Sequence, residues 1–202
     1  MPFTGFHWKE KSRRACRNLD QHEFCFYMTL KHLYWYGNCR DVDKILCVCI
    51  GTGAGSAFIE NGKTVKTGKG VPENGWIYQQ PFGDSILDDY LSVRGLEQIS
   101  LAVTGKVWSG KELYGLVKAG NMEAEEVWRR FGADVAAGLL PVLEEYQPDL
   151  LLLGGQIAKS FSWFGKELER ECEKRKIRIQ IETETSGRAM EGLLSQFPEK
   201  TQ

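Results

Sequence analysis

Long hydrophobic runs are missing from this chain: the most extended, such as residues 45–50 and 150–153, fall far short of the roughly 20 residues that a membrane-spanning helix needs. The first twenty residues are polar, basic and aromatic, with neither an apolar core nor a small-residue cleavage site. No secretory signal is read there, and the cytoplasm is the expected location. An excess of one charge is lacking too. Lys+Arg number 26 against 27 Asp+Glu, a formal net charge of −1, so no overall field draws the chain to nucleic acid or to an anionic membrane. Cysteine is sparse and irregularly spaced, 6 in 202 residues, which excludes a disulfide framework and leaves reduced thiols as the expectation. No C-x₂₋₄-C or H-x₃₋₅-H pair occurs, so no metal site is expected.

What is present is enough apolar material, 42% of residues with 11% aromatic, to bury a core in a chain of this length. The composition changes near residue 40. All three histidines (His7, His22, His32) and Cys16, Cys25 and Cys39 lie before it, without a steady period of 2 or 3.6. Residues 1–37 are therefore read as an atypical N-terminal segment and 38–202 as one domain. Residues 45–50 (ILCVCI) suit a buried strand, residues 56–59 resume the apolar character, and Asn61-Gly62 marks a tight turn before residues 64–66. Together they predict a three-stranded antiparallel meander over 45–67.

Helices then alternate with single strands. Residues 85–93 place Ile86, Leu87, Tyr90 and Leu91 on one helical face. Ser109-Gly110-Lys111-Glu112 fits a capping box that opens a helix closed by Gly120. Asn121 is a plausible N-cap for a long helix with Val127, Phe131, Val135 and Leu139 in a stripe, and Pro141 is expected to kink it or end it early. Pro148-Asp149 breaks the helix before residues 150–153, a strand buried on both faces. A helix over residues 156–174 should turn Ile157, Phe161, Phe164 and Leu168 inward. Ile177, Ile179 and Ile181 alternate with polar residues as in a strand with one wet face, and residues 188–194 supply a last short helix. The class is α/β.

Two glycine clusters carry the candidate chemistry. Gly51, Thr52, Gly53, Ala54 and Gly55 form a tight strand-to-strand link where backbone amides can converge on an anion and Thr52 adds a hydroxyl. No Gly-Lys-Ser/Thr follows, and a strand rather than a helix comes next, so the link is neither a Walker A loop nor a dinucleotide fingerprint. Gly154 and Gly155, with Gln156 behind them, follow a buried strand and open a helix, where the absent side chains and the helix dipole allow a nucleotide to approach.

The order of these motifs resembles that of ROK proteins (repressor, open reading frame, kinase), a family that includes bacterial glucokinases and N-acetylmannosamine kinases. The resemblance rests on Gly51 to Gly55 with Asn61-Gly62-Lys63, then Asp88-Asp89-Tyr90-Leu91-Ser92, Lys111-Glu112-Leu113, and Pro148-Asp149 leading into Gly154-Gly155, and covers about residues 38–197. It implies the C-terminal lobe of an actin-like ATPase, RNase H-like fold, in which the first loop holds phosphates and the second approaches adenosine. ATP and Mg²⁺ are the implied cofactors, a hexose or N-acetylhexosamine the implied substrate, and a homodimer the implied assembly. Pro72-Glu73-Asn74-Gly75-Trp76 stands where the family has Gly-Glu-x-Gly-His, which keeps Glu73 as a sugar-binding candidate and puts Trp76 in place of the histidine. The family's Asp-x-Gly-Gly-Thr motif and the Asn-Asp segment carrying its general base have no counterpart in the 202 residues. The resemblance thus implies a truncated or partial sugar kinase that binds nucleotide weakly and has no catalytic residue of its own. The alternative is a non-catalytic sugar- or nucleotide-sensing or dimerisation module.

Overall fold

The two most apolar stretches of the chain become neighbouring central strands. The computed structural model describes residues 42–183, and within them β1 (Lys44–Ile50), β2 (Ala54–Glu60) and β3 (Lys63–Val65) form the expected antiparallel meander. The β2–β3 turn takes positive φ at Asn61 (51°) and Gly62 (75°), as an Asn-Gly hairpin turn requires. Two short paired strands follow, β4 (Pro81–Phe82) and β5 (Ser85–Ile86). Next come four helices, α1 (Leu87–Tyr90), α2 (Val93–Thr104), α3 (Gly110–Lys118) and α4 (Met122–Tyr146). The chain returns to the sheet as β6 (Leu150–Gly154), turns through a short 3₁₀ segment (Ile157–Ser160) into α5 (Phe161–Phe164) and α6 (Lys166–Lys174), and ends in β7 (Arg178–Glu182).

The main sheet has the order β3-β2-β1-β6-β7, with β1, β6 and β7 parallel. Their carboxyl ends therefore lie along one edge. Of these, β1 and β6 are buried on both faces, which explains their unbroken apolar character. Leu46, Val48, Ile50, Leu151 and Leu153 belong to the cluster that the helices join. Ile45, Cys47, Leu150 and Leu152 form a second cluster with Val42 and Ile59, in which no described helix takes part.

Several local expectations hold. Ser109 and Glu112 make both bonds of the capping box, Asn121 caps α4 through the Ala124 amide at 2.8 Å, and Val127, Phe131, Val135 and Leu139 are all buried. Ile157, Phe161, Phe164 and Leu168 are buried too, and Cys47 and Cys172 are buried thiols.

Others need correction. Ser85 and Ile86 lie in β5 rather than in a helix, and Ile86 is exposed, because the chain first pairs with Pro81–Phe82 and becomes helical only at Leu87. Pro141 neither ends nor shortens α4, which runs 25 residues. Pro141 and Ala137, whose carbonyl the proline leaves without its amide, both face solvent, while Val142, Leu143 and Tyr146 beyond are buried. Water serves the exposed carbonyl, and packing of the last turn outweighs the lost bond. The helix after Gly155 is segmented, a 3₁₀ turn and two short helices in place of one. The polar face of β7 is wet only at its start: Arg178 is exposed, whereas Gln180 is half-buried and Glu182 is 7% exposed, since they pair with Leu152 and Gly154 and share the second, covered face. The expected helix at 188–194 and the atypical segment 1–37 lie outside the described residues. Among the described residues, no helix is long and apolar enough to cross a membrane.

Candidate functional site

The two glycine clusters, about 100 residues apart in sequence, come together because β1 and β6 are parallel neighbours. Cys49 pairs with Gly154, so the chain leaves both strands at the same sheet edge, where α/β sheets place their ligands. Gly155 has φ of +96°, and a Cβ there would run into the backbone of Ile50. Only glycine permits both the conformation and the approach.

The first cluster divides on close inspection. Gly51, Thr52 and Gly53 make the turn, closed by the Gly51 amide on the Gly53 carbonyl at 3.0 Å, whereas Ala54 and Gly55 already belong to β2. The Ala54 amide is taken by Asp88 Oδ1 at 2.7 Å. The amides of Thr52 and Gly53 and the Thr52 hydroxyl have no protein partner among the described residues and remain for an anion. The Val93 amide, at the start of α2, donates to the Gly51 carbonyl at 2.8 Å, and Arg94 beside it pairs with Asp88 at 2.6 Å.

Val93 also borders a cleft of about 510 Å³. Val93, Trp128 and Ile157 give it an apolar wall, and Lys111, Lys159 and Gln156 are its principal polar side chains. The start of α3 reaches it through Ser109 and Gly110, with Tyr114 one turn on. Trp128 is 1% exposed and stacks on Phe164 at 5.9 Å and 19°, yet its indole Nε1–H finds no acceptor among the described residues. A buried donor left without an acceptor is costly. Basic side chains, an apolar wall and adjacent free amides suit a nucleotide: base and ribose in the cleft, phosphates at Thr52 and Gly53. No group of three or more His, Cys, Asp or Glu able to hold a metal occurs among the described residues.

Glu73 stands elsewhere. It is exposed in a 3₁₀ turn, Glu73–Gly75, tied to β2 by Ser56, whose hydroxyl donates to the Gly75 carbonyl at 2.6 Å and accepts from the Ile77 amide at 3.0 Å. It does not line the cleft. The half-buried Trp76 follows it and faces Tyr78 with ring centroids 5.7 Å apart.

Gln156, named in the sequence from its place after two glycines, lines the cleft. Trp128 and Lys159 were not named, since periodicity assigns Trp128 to a core and gives an isolated Lys no address, and Asp88 was marked only as part of the Asp88-Asp89-Tyr90-Leu91-Ser92 motif.

Comparison with known proteins follows the same lines. The model of the ROK family matches residues 33–197. A beta-glucoside kinase of Listeria monocytogenes is 25% identical over 169 residues, 79% of this chain and 57% of that protein. An N-acetyl-D-glucosamine kinase of Haemophilus influenzae is 27% identical over 143 residues, 61% of this chain and 47% of that one. Among solved structures, a ROK hexokinase from Thermus thermophilus has a TM-score of 0.68 at 15% identity, covering 83% of this chain and 61% of that one. A ROK family glucokinase from Streptomyces griseus in complex with glucose and AMPPNP scores 0.65 at 15% identity, covering 85% and 66%. The fold shared with these structures is the actin-like ATPase fold. The chain spans about half the length of the curated relatives it matches.

Proposed function

The chain belongs to the ROK family, and from that premise we propose that it is the nucleotide-binding lobe of a sugar kinase, holding ATP or ADP with Mg²⁺ without transferring phosphate by itself. The observation that carries this reading is the meeting of Gly51 to Gly55 and Gly154-Gly155-Gln156 at one sheet edge, beside a cleft lined by Val93, Trp128, Gln156 and Lys159. Base and ribose occupy the cleft between Val93, Trp128 and Gln156. The phosphates lie on the Thr52 and Gly53 amides, near the positive end of α2. Bound Mg²⁺ neutralises phosphate charge, the principal electrostatic requirement of phosphoryl transfer.

Glu73 contacts the sugar, a hexose or N-acetylhexosamine, from its turn over β2. The 202 residues hold no Asp-x-Gly-Gly-Thr and no Asn-Asp, so half of the phosphate cradle and the base that would deprotonate the sugar are missing from the site. A general base contributes about 10²–10⁴-fold, and turnover by the chain alone is expected to be undetectable.

The test is a thermal melt with and without Mg-ADP and Mg-ATP. Ligand at 100 times Kd adds about 2.7 kcal/mol, which raises the Tm by about 5–10 °C for a chain of this size. A coupled phosphotransfer assay with glucose and N-acetylglucosamine should stay at background, and light scattering should report a homodimer. The absence of any shift at millimolar nucleotide would refute the reading.

A further inference from the structure

The Gly51 to Gly53 turn is held from outside its own hairpin, by the corner where α1 meets α2. Asp88 Oδ1 accepts from the Ala54 amide at 2.7 Å, and Asp88 Oδ2 accepts from Arg94 Nη2 at 2.6 Å. The same corner supplies the Val93 amide to the Gly51 carbonyl at 2.8 Å. Asp88 comes so near that a Cβ on Gly53 would stand 2.6 Å from its Oδ1. A side chain at 53 would push on the Asp88 carboxylate, while the backbone angles there, which are not in the left-handed region, do not themselves call for glycine. Asp89 completes the corner, sharing Arg94 at 3.3 Å and accepting from the Ser85 hydroxyl.

A carboxylate beside an anion-binding turn opposes the anion unless it is neutralised and does something for the turn. Both conditions are met here: Arg94 offsets the charge, and the carboxylate takes one turn amide while pressing on the neighbouring glycine. With the turn holding nucleotide phosphates, the reading proposed above, we propose that Asp88 is a positioning residue for that phosphate site. It removes the Ala54 amide from use, fixes the turn against α1, and leaves the Thr52 and Gly53 amides as the pair that meets phosphate. Arg94 is its counter-ion and keeps its charge from repelling the ligand. Asp88 touches no reacting atom.

Isothermal titration with two ligands tests this. Mg-ADP reports cleft and turn together, and adenosine reports the cleft alone. Asp88→Ala is expected to weaken Mg-ADP about tenfold, the loss of one charge-assisted bond, and to leave adenosine unchanged. Asp88→Asn keeps an oxygen for the Ala54 amide and should stay within about threefold of the wild type. Gly53→Ala should weaken Mg-ADP in the wild-type background and add nothing in the Asp88→Ala background, where its clash partner is gone.

Wild-type binding of Mg-ADP that Asp88→Ala does not alter would overturn the positioning role alone, as would a parallel loss of adenosine affinity, the mark of a merely structural part. A wild type that binds neither ligand would overturn the nucleotide reading and this role with it. Should Asp88→Ala not fold, Gly53→Ala carries the test, and unchanged Mg-ADP affinity in that variant overturns the proposal.

Discussion

Replacing Tyr146 by Phe removes one oxygen from the junction between α4 and the sheet. Tyr146 is fully buried, its hydroxyl donates to the Ile59 carbonyl at 2.8 Å, and its ring meets Phe58 edge-on at 4.8 Å, with the Lys44 ammonium 4.5 Å from the ring centroid. Phe keeps the ring contacts and removes one donor from the Ile59 carbonyl, which still faces Ile45 in the β1–β2 ladder, a loss of about 1 kcal/mol. At 2–4 °C per kcal/mol for chains of 150–250 residues, this lowers the Tm by about 2–4 °C at pH 7.

The pH dependence adds a second, independent expectation. Burial, helped by the nearby charge of Glu60, raises the Tyr146 phenol above its ordinary value. A group whose pKa is raised on folding contributes fully below its unfolded pKa, near 10 for tyrosine, and loses that contribution as pH climbs above it. Past pH 10 the unfolded wild type ionises at Tyr146 while the folded form does not, so its advantage over Tyr146→Phe shrinks by up to about 1.4 kcal/mol per pH unit. The measurement is the Tm of both proteins from pH 7 to pH 11.5, read as a difference so that the other tyrosines and lysines cancel. Equal Tm values at pH 7, or a constant difference across the range, would refute the reasoning.

Gly155→Ala should lower the Tm by at least about 4 °C, since an L-residue at φ +96° facing the Ile50 backbone costs about 2 kcal/mol or more; the same variant should abolish the Mg-ADP shift, and a melt indistinguishable from wild type would contradict the geometry. Asp134, half-buried on α4, has its carboxyl raised by burial, so the native state disfavours its charge at neutral pH. Asp134→Asn should therefore raise the Tm at pH 7, and the gain should vanish below the unfolded value near pH 3.9, a pattern that melts at pH 7 and pH 3 would reveal or deny.

The elements that proved legible in sequence are those whose cause lies within a few residues. The ILCVCI run, the Asn61-Gly62 turn, the Ser109 to Glu112 capping box and the Asn121 cap each depend on neighbours that the chain places side by side. Helix α2 carried the same kind of signal, in the Ser92 cap, the spacing of Leu96, Ile99 and Val103, and the left-handed Gly105, though it was not read. Pro141 misled because its local cost is real, while the gain from burying Leu143 and Tyr146 is tertiary.

The candidate site divides in the same way. Glycines at a strand end mark a tight turn by themselves, so Gly51 to Gly55 and Gly154-Gly155 were candidates from the chain alone, of which the structure leaves Gly51 to Gly53 in the turn and places Ala54 and Gly55 in β2. The bond from Ala54 to Asp88 spans 34 residues, and the approach of Gly155 to Ile50 spans about 100. Trp128 of α4 and Lys159 of the 3₁₀ segment after β6 come to line one cleft only in the folded chain. Local backbone chemistry is written in residue type and short spacing and was determined by the sequence directly. Which amides stay free, which carboxylate holds the turn and what lines the cleft follow from the parallel pairing of β1 with β6, a long-range contact that only burial of both strands on both faces selects.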